Sequence, residues 1–220
     1  MEIKVLGHNH SILDQYLSEI RDINIQTDPL RFRDNLNRIG EIFAYEISKQ
    51  VEFEVTDVIT PLGVAKVPKL KTQPVLATIL RAGLAMHNGL LRIFDRAENC
   101  FISAFRKYRD DGSFEIEFEY MASPSLDGKI VILSDPMLAS GKSMEIGYEA
   151  LFSKGTPAHI HLVAIIASEE GMNYIEDKIK AENVTLWLGA VDPEMTPHSY
   201  IVPGLGDAGD LAFGEKIDSK

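Results

Sequence analysis

Within nine residues the chain gathers a carboxylate, two hydroxyls, an ammonium and a glycine: Asp135-Pro136-Met137-Leu138-Ala139-Ser140-Gly141-Lys142-Ser143. An apolar run, Ile130-Val131-Ile132-Leu133, precedes this stretch, and an amphipathic pattern from Met144 to Phe152 follows it. A loop between a strand and the start of a helix presents unpaired backbone N–H groups at one point, which is what a phosphate monoester needs. The acid at the strand's end, the hydroxyls of Ser140 and Ser143, and Lys142 suggest a phosphorylated sugar held with a divalent metal. Two other stretches carry charge or glycine at strand ends: Arg81-Ala82-Gly83, and a tail over residues 200–210 rich in Gly, Asp and Pro.

These loops need elements to position them. Residues 11–22 carry Ile12, Leu13, Tyr16, Leu17 and Ile20 on one helical face, with Ser11 as the cap. Asp28-Pro29 predicts a second N-cap with proline at the first helical position, and its stripe (Leu36, Ile39, Phe43, Ile47) runs to about Lys49. Val51, Phe53 and Val55 alternate with Glu52, Glu54 and Thr56, which reads as a half-buried strand. Pro61-Leu62-Gly63 then turns into an edge strand and loop. Buried strands are predicted at 75–80, 99–105, 129–133, 158–167 and 184–188, with helices at 84–96, 144–152 and 168–181. Phe114, Ile116, Phe118 and Tyr120 alternate with Glu115, Glu117 and Glu119 after the turn Asp110-Asp111-Gly112-Ser113, a hairpin projecting from the sheet. Past Ala190 the periodicity ends.

Strands alternating with helices predict an α/β protein whose central, mainly parallel sheet has helices on both faces. Ligands of such sheets sit beyond the carboxyl ends of the strands, where all three suspect loops fall. The 220 residues fit one domain: N-terminal helices over 1–50, a hairpin arm over 101–121 and a C-terminal hood over 191–220. The net charge of −11, from 22 basic and 33 acidic residues, argues against a nucleic-acid partner. It also requires that attraction for a phosphate ester come from local cations, a metal and backbone dipoles. No run is long and apolar enough to span a membrane, the first residues lack a signal-peptide core, and the single Cys100 reads as a core thiol, so a cytoplasmic setting is expected.

The loop Ala139-Ser140-Gly141-Lys142-Ser143 invites a nucleoside-triphosphate reading, but that motif needs a glycine where Pro136 stands. Residues 135–143 instead resemble the ribose-phosphate loop of phosphoribosyltransferases, and Asp135-Pro136, in place of paired acids, resembles the uracil phosphoribosyltransferase branch. Ile79-Leu80-Arg81-Ala82-Gly83-Leu84 is similar to that family's pyrophosphate loop. Tyr200-Ile201-Val202-Pro203-Gly204-Leu205-Gly206-Asp207-Ala208-Gly209-Asp210 is similar to its uracil-binding tail. The three motifs stand in the family's order, and the similarity of layout covers most of the chain.

The resemblance implies the type I phosphoribosyltransferase fold and the reaction of uracil with phosphoribosyl pyrophosphate (PRPP) to give UMP and pyrophosphate. It implies catalytic roles for Asp135, Arg106 and Arg81. PRPP would be held by Arg81, Arg106, Asp135, Pro136, Met137, Leu138, Ala139, Ser140, Gly141, Lys142, Ser143 and Asp207. Uracil would be read by Ile201, Gly206, Asp207 and Ala208, largely through backbone groups. Mg²⁺ would be held mainly by PRPP and water, with Asp207 assisting. A homodimer or higher homo-oligomer is implied, and GTP as an effector is left open. Four positions depart from the family's usual residues: Thr78 for Pro, Ser140 for Thr, Lys142 for Gly and Leu211 for a basic residue. Lys142 carries strain if its φ is positive and adds a phosphate contact if it is not. Lys142 and Leu211 motivate an alternative, a catalytically silent homologue that senses a nucleotide.

Plainer readings stand beside these. Arg81 would serve as a surface arginine, Arg106 as a partner of hairpin glutamates, Asp135 as a helix cap and Asp207 as a turn acid. His159 and His161 share a strand face but have no third ligand at metal spacing.

Overall fold

The computed structural model describes residues 1–108 and 114–216, and for residues 104–108 and 114–119 the backbone alone. Its elements in chain order are β1 (Glu2–Val5), α1 (Ile12–Arg21), α2 (Pro29–Ser48), β2 (Phe53–Thr60), β3 (Gly63–Leu70), β4 (Val75–Leu80), α3 (Gly83–Ile93), β5 (Glu98–Tyr108) and β6 (Phe114–Ala122). There follow β7 (Ile130–Ser134), β8 (Met137–Leu138), α4 (Lys142–Leu151), β9 (His159–Ser168), α5 (Glu169–Lys178), β10 (Val184–Asp192), β11 (Glu194–Met195), β12 (Ile201–Val202) and α6 (Ala208–Phe213).

Local chemistry starts the helices where the sequence places them. Ser11 caps α1 by accepting from the Leu13 N–H, and Asp14 accepts in return from the Ser11 N–H. Asp28 accepts from the N–H groups of Leu30 and Arg31 at the head of α2, with Pro29 in the first turn. Ser168 caps α5 through the Gly171 N–H. Helix α3 starts at Gly83 and stops at Ile93, three residues short of expectation, where Phe94 leaves the helical region.

The main sheet has the order β1-β10-β9-β7-β4-β5-β6, with β8 alongside β9. Every pairing is parallel except β5 with β6. Alternate strand residues feed two cores. Leu76, Ile132, Val163, Ile165 and Trp187 pack with α1, α2, α3 and α6 on one face. Ala77, Leu133, Leu162, Ala164 and Leu188 pack with α4 and α5 on the other. Burial on both faces explains why these strands read as continuous apolar runs. Each such Leu or Ile contributes about 1.5–3 kcal/mol on leaving water, so the double cover supplies most of the driving force.

The strand order sets the site. From β4 the chain moves through α3 to β5 on one side; from β7 it moves through α4 to β9 and then β10 on the other. The direction reverses between β4 and β7, which are neighbours in register from Val75↔Val131 to Thr78↔Ser134. A crevice at the carboxyl ends of strands opens at such a reversal.

One expectation needs correction. The strand expected from Val51 starts at Phe53 and is not half-buried: among the described residues β2 pairs with β3 alone, as a two-stranded antiparallel ribbon outside the main sheet. On this ribbon Phe53, Val55, Ile59, Leu62 and Val64 are exposed. Glu2–Val5, to which no element was assigned, form an edge strand on β10. The Phe114–Tyr120 alternation does form a strand antiparallel to β5, but the side chains of Phe114, Ile116 and Phe118 lie outside the described residues.

Candidate active site at the β4–β7 switch point

Arg81 and Asp135 follow the two strands that flank the reversal. Hydroxyls stitch the floor between them: Thr78 donates to the Ser134 carbonyl at 3.2 Å, and Ser134 donates to the Ala77 carbonyl at 3.2 Å. Thr78, one of the departures, thus has a structural task here. Gly83 is needed at the start of α3, since a Cβ there would lie 2.1 Å from Thr78 Oγ1 and 3.1 Å from the Ser134 oxygen.

The loop after β7 bends in two steps. The Pro136 carbonyl accepts from both Ile165 and Ile166 N–H, at 3.0 and 3.1 Å, and β8 then pairs briefly with β9. The Asp135 N–H donates to Val163 O at 3.0 Å, which fixes the backbone under its half-buried carboxylate. Gly141 then adopts φ 81°, ψ −16° as the N-cap of α4 and has no side chain with which to cap it. The α4 N-terminus therefore presents its first N–H groups to whatever lies in the loop, beside the hydroxyls of Ser140 and Ser143.

Lys142 is the first residue of α4, exposed, and absent from the positive-φ positions; Ser199 is the one non-glycine with positive φ among the described residues. The left-handed turn falls on Gly141 instead. No backbone strain attaches to Lys142, and its ammonium stands at the loop's rim.

Helix α5 backs the loop. Ser168 donates to Ala139 O at 2.6 Å while capping its own helix, and Gly171 approaches so closely that a Cβ would lie 2.1 Å from Ala139 O. Tyr174 lies against Gly141 and donates its hydroxyl to Glu145 Oε2 at 2.5 Å.

The tail reaches the same place from the other side of the chain. Arg21, at the end of α1, holds Asp192 by paired hydrogen bonds of 2.7 and 2.8 Å and donates to Gly204 O at 2.9 Å; the Gly204 N–H returns to Asp192 at 2.9 Å. Gly204, at φ 57°, has no room for a Cβ, which would lie 2.1 Å from Ile201 O. Arg33 of α2 donates to Ala212 O at 2.7 Å, and Leu211 packs against the core beneath. The tail is thus anchored without a basic residue at position 211.

Asp207 caps α6 through the Asp210 N–H. Burial raises its pKa, but the N–H groups of Asp210 and Gly209 with the Lys216 ammonium outweigh it and hold the carboxyl below the usual range. Asp210 crosses to the loop after β4, where Arg81 donates to it at 2.9 Å and to Gly214 O at 3.2 Å.

The structure therefore brings together Arg81, residues 135–143 and the tail's Asp207–Asp210 turn. Buried Ile201 and Ala208 and exposed Gly206, at φ 94°, lie on that tail. Arg106 lies on β5, next to β4, opposite Ile116 of β6; its side chain is outside the described residues. His159 and His161 lie elsewhere, on β9, with ring centroids 4.5 Å apart and ring planes tilted by 46°. The clamp Arg21–Asp192–Gly204 and the Tyr174–Glu145 contact were not legible, since their partners are 171, 183 and 29 residues apart and no local spacing signals them.

A family model described as uracil phosphoribosyltransferase matches residues 7–215. A Porphyromonas gingivalis protein named uracil phosphoribosyltransferase is 54% identical over 217 residues, spanning 99% of this chain and 100% of its own. One of the same name from Methanothermobacter thermautotrophicus is 37% identical over 94% of each chain. A solved structure of an Aquifex aeolicus protein superposes with a TM-score of 0.85 at 30% identity, over 96% of this chain and 98% of that one.

Proposed function

The chain belongs to the uracil phosphoribosyltransferase family, and from that premise we propose that it transfers the 5-phosphoribosyl group of PRPP to N1 of uracil, giving UMP and pyrophosphate. The observation that carries this reading is the convergence of the Arg81 loop, the Asp135–Ser143 loop and the Asp207–Asp210 turn at one switch point.

In the proposed reaction uracil N1 attacks the anomeric carbon, the bond to pyrophosphate breaks with its electron pair leaving on oxygen, and the N1 proton is released. The transition state has oxocarbenium character, as in glycoside cleavage. No protein nucleophile is needed, so catalysis comes from positioning, electrostatics and exclusion of water. The 5'-phosphate sits at the α4 N-terminus, receiving N–H groups from residues 139–143 and the Ser140 and Ser143 hydroxyls, with Lys142 adding a cation at the rim. Asp135 accepts from the ribose hydroxyls and faces the positive charge that develops on the ring. Arg81 and Arg106 hold pyrophosphate, which takes over the Arg81 guanidinium from Asp210 and Gly214.

Asp207, kept ionised by its N–H and Lys216 partners, fits an outer ligand of Mg²⁺ bound to PRPP. When bound, such an ion would supply positive charge to offset that of the leaving pyrophosphate. Backbone groups of Ile201, Gly206 and Ala208 read the edge of uracil, whose alternating acceptors and donor main-chain groups can match. Cytosine leaves such groups unpaired, which supports strong discrimination.

The apolar side chains exposed on the β2–β3 ribbon support a homodimer, and light scattering should show one at micromolar concentration. The same reading places the chain in the cytoplasm, with GTP as a candidate effector. A screen of uracil, cytosine, hypoxanthine and adenine with PRPP and Mg²⁺ tests the substrate assignment. Turnover should be confined to uracil; equal turnover of a purine base would refute it.

A further inference from the structure

We propose that Tyr174 is a positioning residue for the 5'-phosphate, acting by holding the Glu145 carboxylate away from the phosphate at the head of α4. The inference rests on the assignment of residues 139–143 to that phosphate.

Glu145 lies in the first turn of α4, four residues after the Gly141 cap. That position suits a carboxylate while the helix end is empty, because the dipole attracts it. It conflicts with a phosphate dianion at the same end, because two anions would then compete for one set of N–H groups. The structure turns the side chain aside: Oε2 accepts from the Tyr174 hydroxyl at 2.5 Å, and Oε1 lies 4.0 Å from Lys178 Nζ. Both partners belong to α5, which is itself fixed to the loop by Ser168 and Gly171. Tyr174 also touches the loop directly. A Cβ on Gly141 would lie 2.7 Å from its Cδ1, so the ring closes the space behind the left-handed turn. The hydroxyl stays protonated across the working range, since its bond to Glu145 and its burial push its pKa up to about 12.

Two roles are thus carried by one side chain, and chemistry separates them. Tyr174→Phe keeps the ring against Gly141 and removes only the restraint on Glu145. Glu145→Gln removes the charge that needs restraining. Ribose 5-phosphate binding to the full chain is read by calorimetry, alongside steady-state kinetics. Tyr174→Phe should weaken ribose 5-phosphate about fivefold and raise the KM for PRPP by a similar factor, as expected for loss of one charge-assisted hydrogen bond. Its kcat should stay within about twofold and its KM for uracil should not move. Tyr174→Phe/Glu145→Gln should return ribose 5-phosphate affinity to within about twofold of the parent protein, the signature of an energetic coupling. Parent-like affinity in Tyr174→Phe overturns the proposal, and so does a double variant as weak as Tyr174→Phe. If the folded parent protein itself fails to bind ribose 5-phosphate, the assignment of the loop fails and this inference falls with it.

Discussion

At the scale of single residues, Asp135 and Lys142 matter most. Asp135 follows a strand buried on both sides; its N–H donates to Val163 O and its carboxylate accepts from the Met137 N–H at 3.5 Å, and an amide of the same shape keeps an oxygen to accept there. Asp135→Asn should cut kcat by about a hundredfold or more, in line with loss of a group facing developing charge, while shifting the urea midpoint little. Comparable losses of activity and stability would reduce Asp135 to a structural cap. Lys142 stands in the loop over residues 135–143. The sequence could say only that a lysine stands where glycine is usual, because backbone angles are not written in a side chain's identity. The left-handed residue proves to be Gly141, and Lys142 is an ordinary first-turn helical residue. Lys142→Gly should therefore relieve nothing: turnover should not rise, KM for PRPP should increase a few-fold, and stability should fall by up to about 1 kcal/mol. A gain in turnover would reopen the silent-homologue reading.

At the scale of elements, the signals that were legible are those written within a few residues. Ser11 with Asp14, Asp28 with Pro29, and Ser168 ahead of Gly171 mark three helix starts. The apolar runs of β4, β7 and β9 mark strands covered on both faces. The β2 alternation misled because period two reports a pleated strand but not what lies over it. The edge strand β1 was missed because four residues with one alternation carry little signal, and only β10 gives them a place. Strand β9 also carries a testable pH effect. The Trp187 indole donates to His161 Nδ1 at 3.1 Å, and an indole N–H cannot accept, so His161 is held neutral. Burial, with His159 and Lys4 nearby, lowers its pKa to about 3, and burial lowers that of His159 as well, partly opposed by Glu2. Between pH 6.5 and 3 the unfolded histidine binds a proton that the native one does not. Stability is therefore complete above pH 6.5 and falls as pH drops through this window. His161→Asn keeps an acceptor for Trp187 and removes the titration. Urea unfolding between pH 6.5 and 5, above the ordinary carboxylate range, should show a flatter decline than in the parent; an unchanged slope would contradict the assignment.

At the scale of the whole molecule, the ends of the chain are joined at the site. The tail over residues 200–213 is held by Arg21 and Arg33 of the N-terminal helices and docks through Asp210 on Arg81. The motifs were legible because each lies in one short stretch that resembles a family. The clamp was not, because Arg21 and Asp192 are far apart in sequence and meet only after the sheet has formed. Asp192 is 5% exposed, so removing Arg21 leaves a buried carboxylate without its cation. Arg21→Ala should cost about 3–5 kcal/mol and raise the KM for uracil more than that for PRPP, since the tail and not the phosphate loop loses its tether. Equal effects on both substrates would mean that the clamp serves the fold as a whole. The central claim, that this convergence of loops makes UMP, is tested most directly by incubating the folded chain with uracil, PRPP and Mg²⁺ and measuring both products. UMP and pyrophosphate should appear in equal amounts, in proportion to enzyme concentration. Binding of PRPP and uracil without formation of either product would contradict it.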